Sequence, residues 1–416
     1  MPISTIAFGL AMLAGTSALA QSVPRAALKV LHNFGKGSDG RGPGAGMIRD
    51  AQGNFYGTTE GGGAYGVGTV FKLDSAGKET ILTSFNGNNG KYPDSNLVQD
   101  SGGNLYGATF QGGAYGWGTV FKVDPSGNET VLYAFTFTGG DGADAQTNVA
   151  QDAAGNLYGT TSYGGDYSHC TYGCGTVWKV DPSGNETVLY RFTGSGGDGS
   201  FPLGGVIVDN IGNIYGTTSE GGSFKGVCAQ TYGCGTVFKL DSAGHETVLH
   251  KFHGVHAGGH GDGSDPNSQL TMDSEGNIYG ATASGGYCSD VFNCGTVFKI
   301  DANEAYTVLY RFGGRRIKKT GTHPWGPFTL DQEGNLYGAT QFGGKYDSYG
   351  PSGAIFELTT AGQLNLLFSF TSDVSEPKQP NGGLILDAEG NIYGTAQIGG
   401  PYGSPYGYGA VFEIKP

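Results

Sequence analysis

"GNLYGTT" occupies residues 155–161, and the phrase recurs along the whole chain. Gly53-Asn54-Phe55-Tyr56-Gly57, Gly103-Asn104-Leu105-Tyr106-Gly107 and Gly212-Asn213-Ile214-Tyr215-Gly216 nearly copy it, and further copies start at Gly276, Gly334 and Gly390. Successive starts differ by 50, 52, 57, 64, 58 and 56 residues. Repeats of that size belong to solenoids and propellers.

Four short segments surround each copy. The first is "GMIRD" (46–50), matched by "NLVQD", "GVIVD" and "GLILD". The second is the phrase itself. The third is "GTVFKLD" (68–74), matched from 118, 175, 235 and 295 and more loosely from 353 and 409. The fourth is "ETVLYRF" (186–192), matched at 79, 129, 246 and 306. These segments are rich in Val, Ile, Thr, Tyr and Phe and are bounded by Gly, Asp, Asn and Ser, which is strand chemistry. "DAAGN" and "DPSGNE" are turn chemistry, because Gly and Asn tolerate the positive φ of tight hairpins. No segment keeps a helical period. The expected fold is all-β: a seven-bladed β-propeller with four antiparallel strands per blade.

The two ends support a ring. The seventh unit stops at "GAVFEIKP" after its third strand, while "LKVLHNFG" (28–35) resembles an orphan fourth strand. Pairing the two completes the last blade and removes the free edges of an open array. The expected organisation is a signal peptide over 1–20 and one propeller over 21–416. Its blades lie near 46–85, 96–135, 147–192, 204–252, 268–312, 326–370 and 382–416 plus 28–35.

"GNLYGTTxxGG" followed by "GTVFKLDxxGxETVLYxF" resembles the GloVer repeat, found in tandem in exported bacterial proteins, over essentially residues 28–416. The resemblance implies a β-propeller-like exported protein and brings no shared activity with it. Members often carry a C-terminal sorting or anchoring segment; this chain ends on a strand, so no surface anchor is expected. The WD dipeptide of WD40 propellers is absent, and the glycine doublets only faintly echo kelch repeats. The seven phrases are thus expected to be architecture. Gly-Asn makes the turn and Tyr packs between blades, since seven tyrosines cannot all face one site.

Composition agrees. Glycine is abundant, 80 of 416 residues, but aromatics reach 12%, ample for a core. The net charge of −13 makes the chain a poor partner for nucleic acid or anionic lipid. "MPISTIAFGLAMLAGTSALA" is uncharged, largely apolar and ends in an A-x-A cleavage pattern. It lacks the usual basic residues at its start, and the competing reading is a transmembrane anchor. No other stretch is long and apolar enough to span a bilayer, so a secreted or periplasmic protein is expected, with no membrane span in the mature chain and as a monomer.

The six cysteines lie at equivalent places in three successive repeats. Local disulfides Cys170–Cys174, Cys228–Cys234 and Cys288–Cys294 are the simple pairing in an oxidising compartment. Metal thiolates are the alternative, disfavoured by export and by spacing that is not CxxC.

Links between first and second strands and between third and fourth are short. Second-to-third links, such as "SYGGDYSHCTYGC", and links between blades, such as "HGVHAGGHGDGSDPNS", are long and varied. Alternate links of an up-and-down blade fall on opposite faces, so all long loops share one face. Function in a rigid scaffold sits on such loops.

Two loops break the pattern. His250, His253, His256 and His260 are half of all eight histidines, and Asp262 and Asp265 follow them. Arg315, Arg316, Lys318 and Lys319 precede His323, Pro324 and Trp325. One reading is a divalent metal held by His253, His256, His260 and Asp262. Another is an anionic glycan bound by Arg315, Arg316, Lys318 and Lys319 with Trp325 stacked on a sugar. A third is polysaccharide lyase or hydrolase chemistry using His253, His256, Arg316 or His323. A plain solvated loop competes with all three. Asp-Gly recurs at Asp39, Asp141, Asp198 and Asp262; calcium is conceivable there, but turn formation suffices. No GxSxG, Walker A, HExxH or strand-to-helix GxGxxG motif occurs. The function expected is a binding or interaction module for an extracellular glycan or protein partner. A polysaccharide-degrading enzyme and a structural cell-envelope protein are the alternatives. No cofactor is demanded beyond the metal that the histidine loop admits.

Overall fold

The computed structural model describes residues 26–145, 147–254, 261–286, 294–313, 320–345, 350, 352–403 and 406–415. Seven antiparallel sheets follow one another around a ring, with strands a to d of blades 1 to 6 following one another in chain order. Blade 1 shows the pattern: Ile48–Arg49, Phe55–Thr59, Thr69–Leu73 and Glu79–Ser84. Blade 4 repeats it with Val206–Val208, Ile214–Thr218, Thr236–Leu240 and Glu246–Lys251. In blade 7 strand d is Ala27–Asn33, antiparallel to Ala410–Lys415 from Ala27 opposite Lys415 to Asn33 opposite Ala410. The N-terminal strand closes the ring, as the complementary ends imply. Besides strands, a short 3-10 turn, Gly226–Gln230, lies in the b–c loop of blade 4. No helix among the described residues is long and apolar enough to cross a membrane.

The repeated phrase solves one packing problem seven times. The phenylalanine ending strand d packs on the strand-c aromatic of the next blade. The pairs are Phe34–Phe71, Phe85–Phe121, Phe135–Trp178, Phe192–Phe238, Phe252–Phe298, Phe312–Phe356 and Phe370–Phe412, with ring centroids 5.0–5.7 Å apart. Such offset and edge-on pairs add to simple burial. The strand-c ring in turn lies over the glycine of Tyr-Gly in strand b. A β-carbon on Gly57 would sit 2.7 Å from Phe71 Cζ, and one on Gly216 2.6 Å from Phe238 Cζ. The phrase ends in glycine because an aromatic ring occupies the place of its side chain. Seven apolar clusters, one at each blade junction, make up the core.

Asn and Tyr of the phrase lock the a–b turn. Asp50 Oδ1 accepts the N–H groups of Gln52 and Asn54, and its Oδ2 accepts Asn54 Nδ2 at 2.7 Å and the Tyr56 hydroxyl at 3.0 Å. Asp100, Asp152, Asp209, Asp273 and Asp387 repeat the arrangement. Burial alone would raise Asp50, but the bonds from Asn54, Tyr56 and Gln52 outweigh it and hold the carboxyl below its usual pKa. Burial and Asp50 push Tyr56 up to about 12. Tyr56 also packs between blades 1 and 2, as expected.

Disulfides Cys170–Cys174 and Cys228–Cys234 are formed. Cys294 is disulfide-bonded too. Its expected partner Cys288 lies outside the described residues, as does the expected signal peptide 1–20.

Candidate functional site

The chain enters each blade from the long-loop face just before strand a, and there a second sevenfold feature appears. Gly42, Tyr92, Asp144, Phe201, Asp265, His323 and Gln379 occupy equivalent places, all with φ between 54° and 63°. Six of the seven carry a side chain, and left-handed backbone costs such residues about 1–2 kcal/mol each. The compensation is a bond between blades. The N–H of each residue donates to a carbonyl of the preceding blade, from 2.8 Å for Tyr92 to Val67 up to 3.3 Å for Gln379 to Ser352. This ring rims the mouth of a cavity to which each blade contributes residues two to four positions further along the chain. Backbone held in sparsely populated conformations concentrates where a surface must be preorganised.

Within the mouth lies an axial cavity of about 110 Å³ with walls from all seven blades. Asp94, Asn96, Asn148, Asn267, Gln269 and Asn381 give it a polar lining, and Trp325 supplies one aromatic wall. Asn148 Oδ1 accepts the N–H of Asn96 at 2.6 Å, and Asn96 Oδ1 accepts that of Gly46 at 2.6 Å. Asn381 Nδ2 donates to Gln397 Oε1, which leaves Asn381 Oδ1 buried without a protein partner. Gln397 Nε2 donates to Glu60 Oε1 at 2.6 Å. Glu60 and Asp94 both crowd Gly44 where a side chain would begin. Burial and then the Glu60 charge push Asp94 up to about 7.

A pocket of about 490 Å³ adjoins this cavity and shares Leu203 with it. Glu220 and Asp265 line it, with Ser219, Ser264, Ser284 and Tyr232. Burial and then the Asp265 charge push Glu220 up to about 7, and burial pushes Asp265 up to about 6. Asp144, on the ring of left-handed residues, is raised by burial to about 6, with Oδ1 unpartnered. The mouth is therefore lined by carboxyl groups that titrate near neutrality and can either donate or accept hydrogen bonds. Two notches on the opposite face, lined by turn residues such as Asp100 and Asp152, repeat from blade to blade and read as architecture.

These shifts set a pH dependence. Between blades, burial and the neighbouring aspartates Asp141 and Asp198 push Glu186 and Glu246 up to about 7. A carboxyl whose pKa rises on folding contributes fully below its unfolded pKa, roughly 4, and loses that contribution as pH rises through the folded value. The turn aspartates, with lowered pKa, weaken the fold only below roughly pH 4 and do not oppose this trend. The melting temperature is expected to fall by a few degrees between about pH 5 and about pH 8, followed by circular dichroism. A melting temperature that climbs across that interval would contradict the burial of these groups.

The residues singled out by sequence divide between two places. Trp325 lines the axial cavity, and His323 stands on the ring with its imidazole edge-on to Phe342 at 5.0 Å. His253 belongs elsewhere. Its Nδ1 lies 3.2 Å from Asp262 Oδ2, and His250 Nε2 lies 3.1 Å from the same oxygen. Donor atoms of His250, His253 and Asp262 all fall within 4.8 Å of one another, a set able to hold a metal ion. Burial would raise Asp262, but bonds from His250 and His253 outweigh it and lower its pKa. His250 itself, stacked on Tyr306 at 3.5 Å, was not among the candidates. His256, His260, Arg315, Arg316, Lys318 and Lys319 lie outside the described residues.

Sequence reading noted Asp265 only as a neighbour of the histidine loop, and missed the other carboxyl groups of the mouth and a set of exposed aromatics. Tyr65, Tyr115, Trp117, Tyr167, Tyr172, Phe224, Tyr232, Tyr402 and Tyr406, all on b–c loops, are 38–77% exposed. A signal existed: Gly-Gly-x-Tyr or Gly-Gly-x-Phe opens the b–c loops at Tyr65, Tyr115, Tyr167, Phe224 and Tyr402.

No curated protein matches the sequence. Among solved structures, the chain resembles the extracellular domain of a candidate hybrid two-component system from B. thetaiotaomicron. The TM-score is 0.55 at 11% identity, over 92% of this chain and 39% of that one. This chain thus spans about two fifths of the length of that relative. It also resembles a candidate 6-phosphogluconolactonase from Bacteroides uniformis, with TM-score 0.52 at 15% identity over 86% of this chain and 94% of that one. At such identity the likeness shows the fold alone. The profile of the Gloeobacter/Verrucomicrobia repeat matches residues 15–229 and 222–416, so this seven-bladed chain belongs to the Gloeobacter/Verrucomicrobia repeat family.

Proposed function

We propose that the protein is an exported propeller that binds an extracellular glycan across its long-loop face. The set of exposed aromatics carries this reading. Nine exposed rings lie on the b–c loops of blades 1, 2, 3, 4 and 7, the long-loop side of the blades, and Tyr232 among them lines the pocket beside the axial cavity. Scattered exposed apolar residues need no explanation, whereas aromatics gathered on one face mark a binding surface. Flat rings stack on the apolar faces of pyranoses, and the carboxyl and carboxamide groups of the mouth take up sugar hydroxyls. The described part of the mouth is acidic, which favours a neutral or amino-sugar polymer. The basic run 315–319 would favour an anionic one. The leader segment and the disulfides support export to the periplasm or beyond.

Tyr232, 77% exposed at the rim of the Glu220–Asp265 pocket, is the residue to change. On a panel of neutral, amino-sugar, uronate and sulfated polymers, the wild type is expected to be retained by at least one. Tyr232→Ala is expected to bind that polymer about tenfold more weakly, the scale of one aromatic contact. No retention on any polymer by folded protein would leave a structural envelope protein.

The Glu220–Asp265 pair favours a second reading, a glycan-cleaving enzyme with these groups as acid and base. Shortened products that disappear in Glu220→Gln would decide for it.

A further inference from the structure

The seam where the ring closes carries a feature that glycan binding does not use. At four blade junctions, a residue of strand d meets the aspartate of the following Asp-Gly and the residue that opens strand d of the next blade. These sets are His32, Asp39 and Glu79; Tyr133, Asp141 and Glu186; Tyr190, Asp198 and Glu246; and His250, Asp262 and Tyr306. At the second junction a phenol donates to the aspartate, Tyr133 to Asp141 Oδ2 at 3.0 Å. At the seam between blades 7 and 1 an imidazole replaces the phenol while both carboxyl groups remain.

That exchange changes the chemistry. His32 Nε2 lies 3.0 Å from Asp39 Oδ2 and 3.7 Å from Glu79 Oε2, and the three donor atoms fall within 4.8 Å of one another. The side chains of His32, Asp39 and Glu79 are 18%, 7% and 12% exposed, so water screens them little. Glu79 Oε1 is buried with no partner, an oxygen still to be satisfied. The Asp39 carboxylate is held in place by the N–H groups of Gly40 at 2.6 Å and Gly35 at 3.1 Å. Outer hydrogen bonds of this kind orient a ligating carboxylate.

We propose that His32, Asp39 and Glu79 bind one divalent ion of the zinc class, clasping blade 7 to blade 1 at the closure of the ring. One imidazole and two carboxylates suit zinc, at about 2.0–2.2 Å from each donor, and leave a fourth position for water. His32 rides on the N-terminal strand, Asp39 on the loop after it and Glu79 on blade 1, so a single ion ties together three segments at the junction on which closure depends. At the Tyr133 and Tyr190 junctions the phenols leave no such nitrogen donor.

The same comparison supplies the test. His32→Tyr copies the Tyr133 junction and should fold. Zinc titrated by calorimetry into chelator-stripped protein is expected to bind His32→Tyr with one equivalent fewer than the wild type. The zinc-dependent rise in melting temperature should shrink accordingly. Tyr133→His, placed against Asp141 and Glu186, is expected to gain one equivalent. Counting the difference sets aside any ion held by His250, His253 and Asp262. Equal stoichiometry in wild type and folded His32→Tyr overturns the proposal. If His32→Tyr does not fold, Glu79→Gln keeps the shape and removes a ligand charge. At least a tenfold loss of zinc affinity at one site is then expected, and undiminished affinity overturns the proposal.

Discussion

Removing residues 26–35 is expected to abolish the cooperative thermal transition of the protein. The deletion strips strand d from blade 7, exposes the ladder of Ala410–Lys415 and removes Leu28, Leu31 and Phe34 from two apolar clusters. Each buried side chain of that kind contributes about 1.5–3 kcal/mol, and the loss of the whole strand reaches the total stability of an ordinary domain, roughly 5–15 kcal/mol. It also leaves a free edge facing solvent, a template for association. Circular dichroism and light scattering should show early, aggregating unfolding. A synthetic peptide of residues 26–35 added in excess should restore the transition. An unchanged melting curve in the truncated chain would show that the ring does not depend on this pairing.

Gly175→Ala is expected to cost about 3 kcal/mol, far more than an ordinary surface change. Gly175 opens strand c of blade 3 at φ +94°. A β-carbon there would meet Pro202 Cδ of the next blade at 2.5 Å and Thr161 O of its own blade at 2.5 Å. Neither neighbour can yield, since the proline ring is held at the ring of left-handed residues and the carbonyl is backbone. The positive φ and the clash therefore add. Gly139→Ala is the control: its φ is +66° but nothing lies within 4 Å of its would-be β-carbon. It should cost about 1 kcal/mol, the conformational part alone. Denaturant midpoints of the two variants give the comparison. Equal costs would mean that blade 4 does not press on blade 3 at Pro202.

The Gly-Thr-Val-Phe phrase shows how architecture became legible in a repeat. Its glycine recurs because in six cases of seven a proline of the next blade covers it, as at Gly68, Gly235, Gly295, Gly353 and Gly409, while at Gly118 the backbone of its own strand b does. Its aromatic recurs because the phenylalanine of the preceding blade seeks it. Every junction poses the same packing problem, so the solution is written into the chain seven times and survives alignment of the copies. Asp-Gly was legible only in part. It does form turns, with Asp39 Oδ1 on the Gly40 N–H at 2.6 Å and Asp141 Oδ1 on Gly142 at 2.7 Å. That the same aspartates also meet His32, Tyr133 and His250 requires the path of strand d.

Blade number, strand order and the disulfide loops follow from local order, because they depend on periodic apolar spacing and on turn residues close in sequence; ring closure was legible because the two ends carry complementary parts of one repeat. The mouth does not. Glu60 and Asp94 stand 34 positions apart (94 − 60) and Glu220 and Asp265 stand 45 apart (265 − 220); the other repeats fill the places of Glu60, Asp94 and Glu220 differently, and Asp265 shares its residue type with Asp144 alone. Aligning the copies averages away such departures, and density of charge along the chain is no substitute for convergence in space. The histidine loop drew notice by density, yet His253 meets Asp262 and His250 rather than Trp325. Only closure of the ring brings single side chains from seven blades to one axis, removes them from water and moves their protonation toward neutral pH.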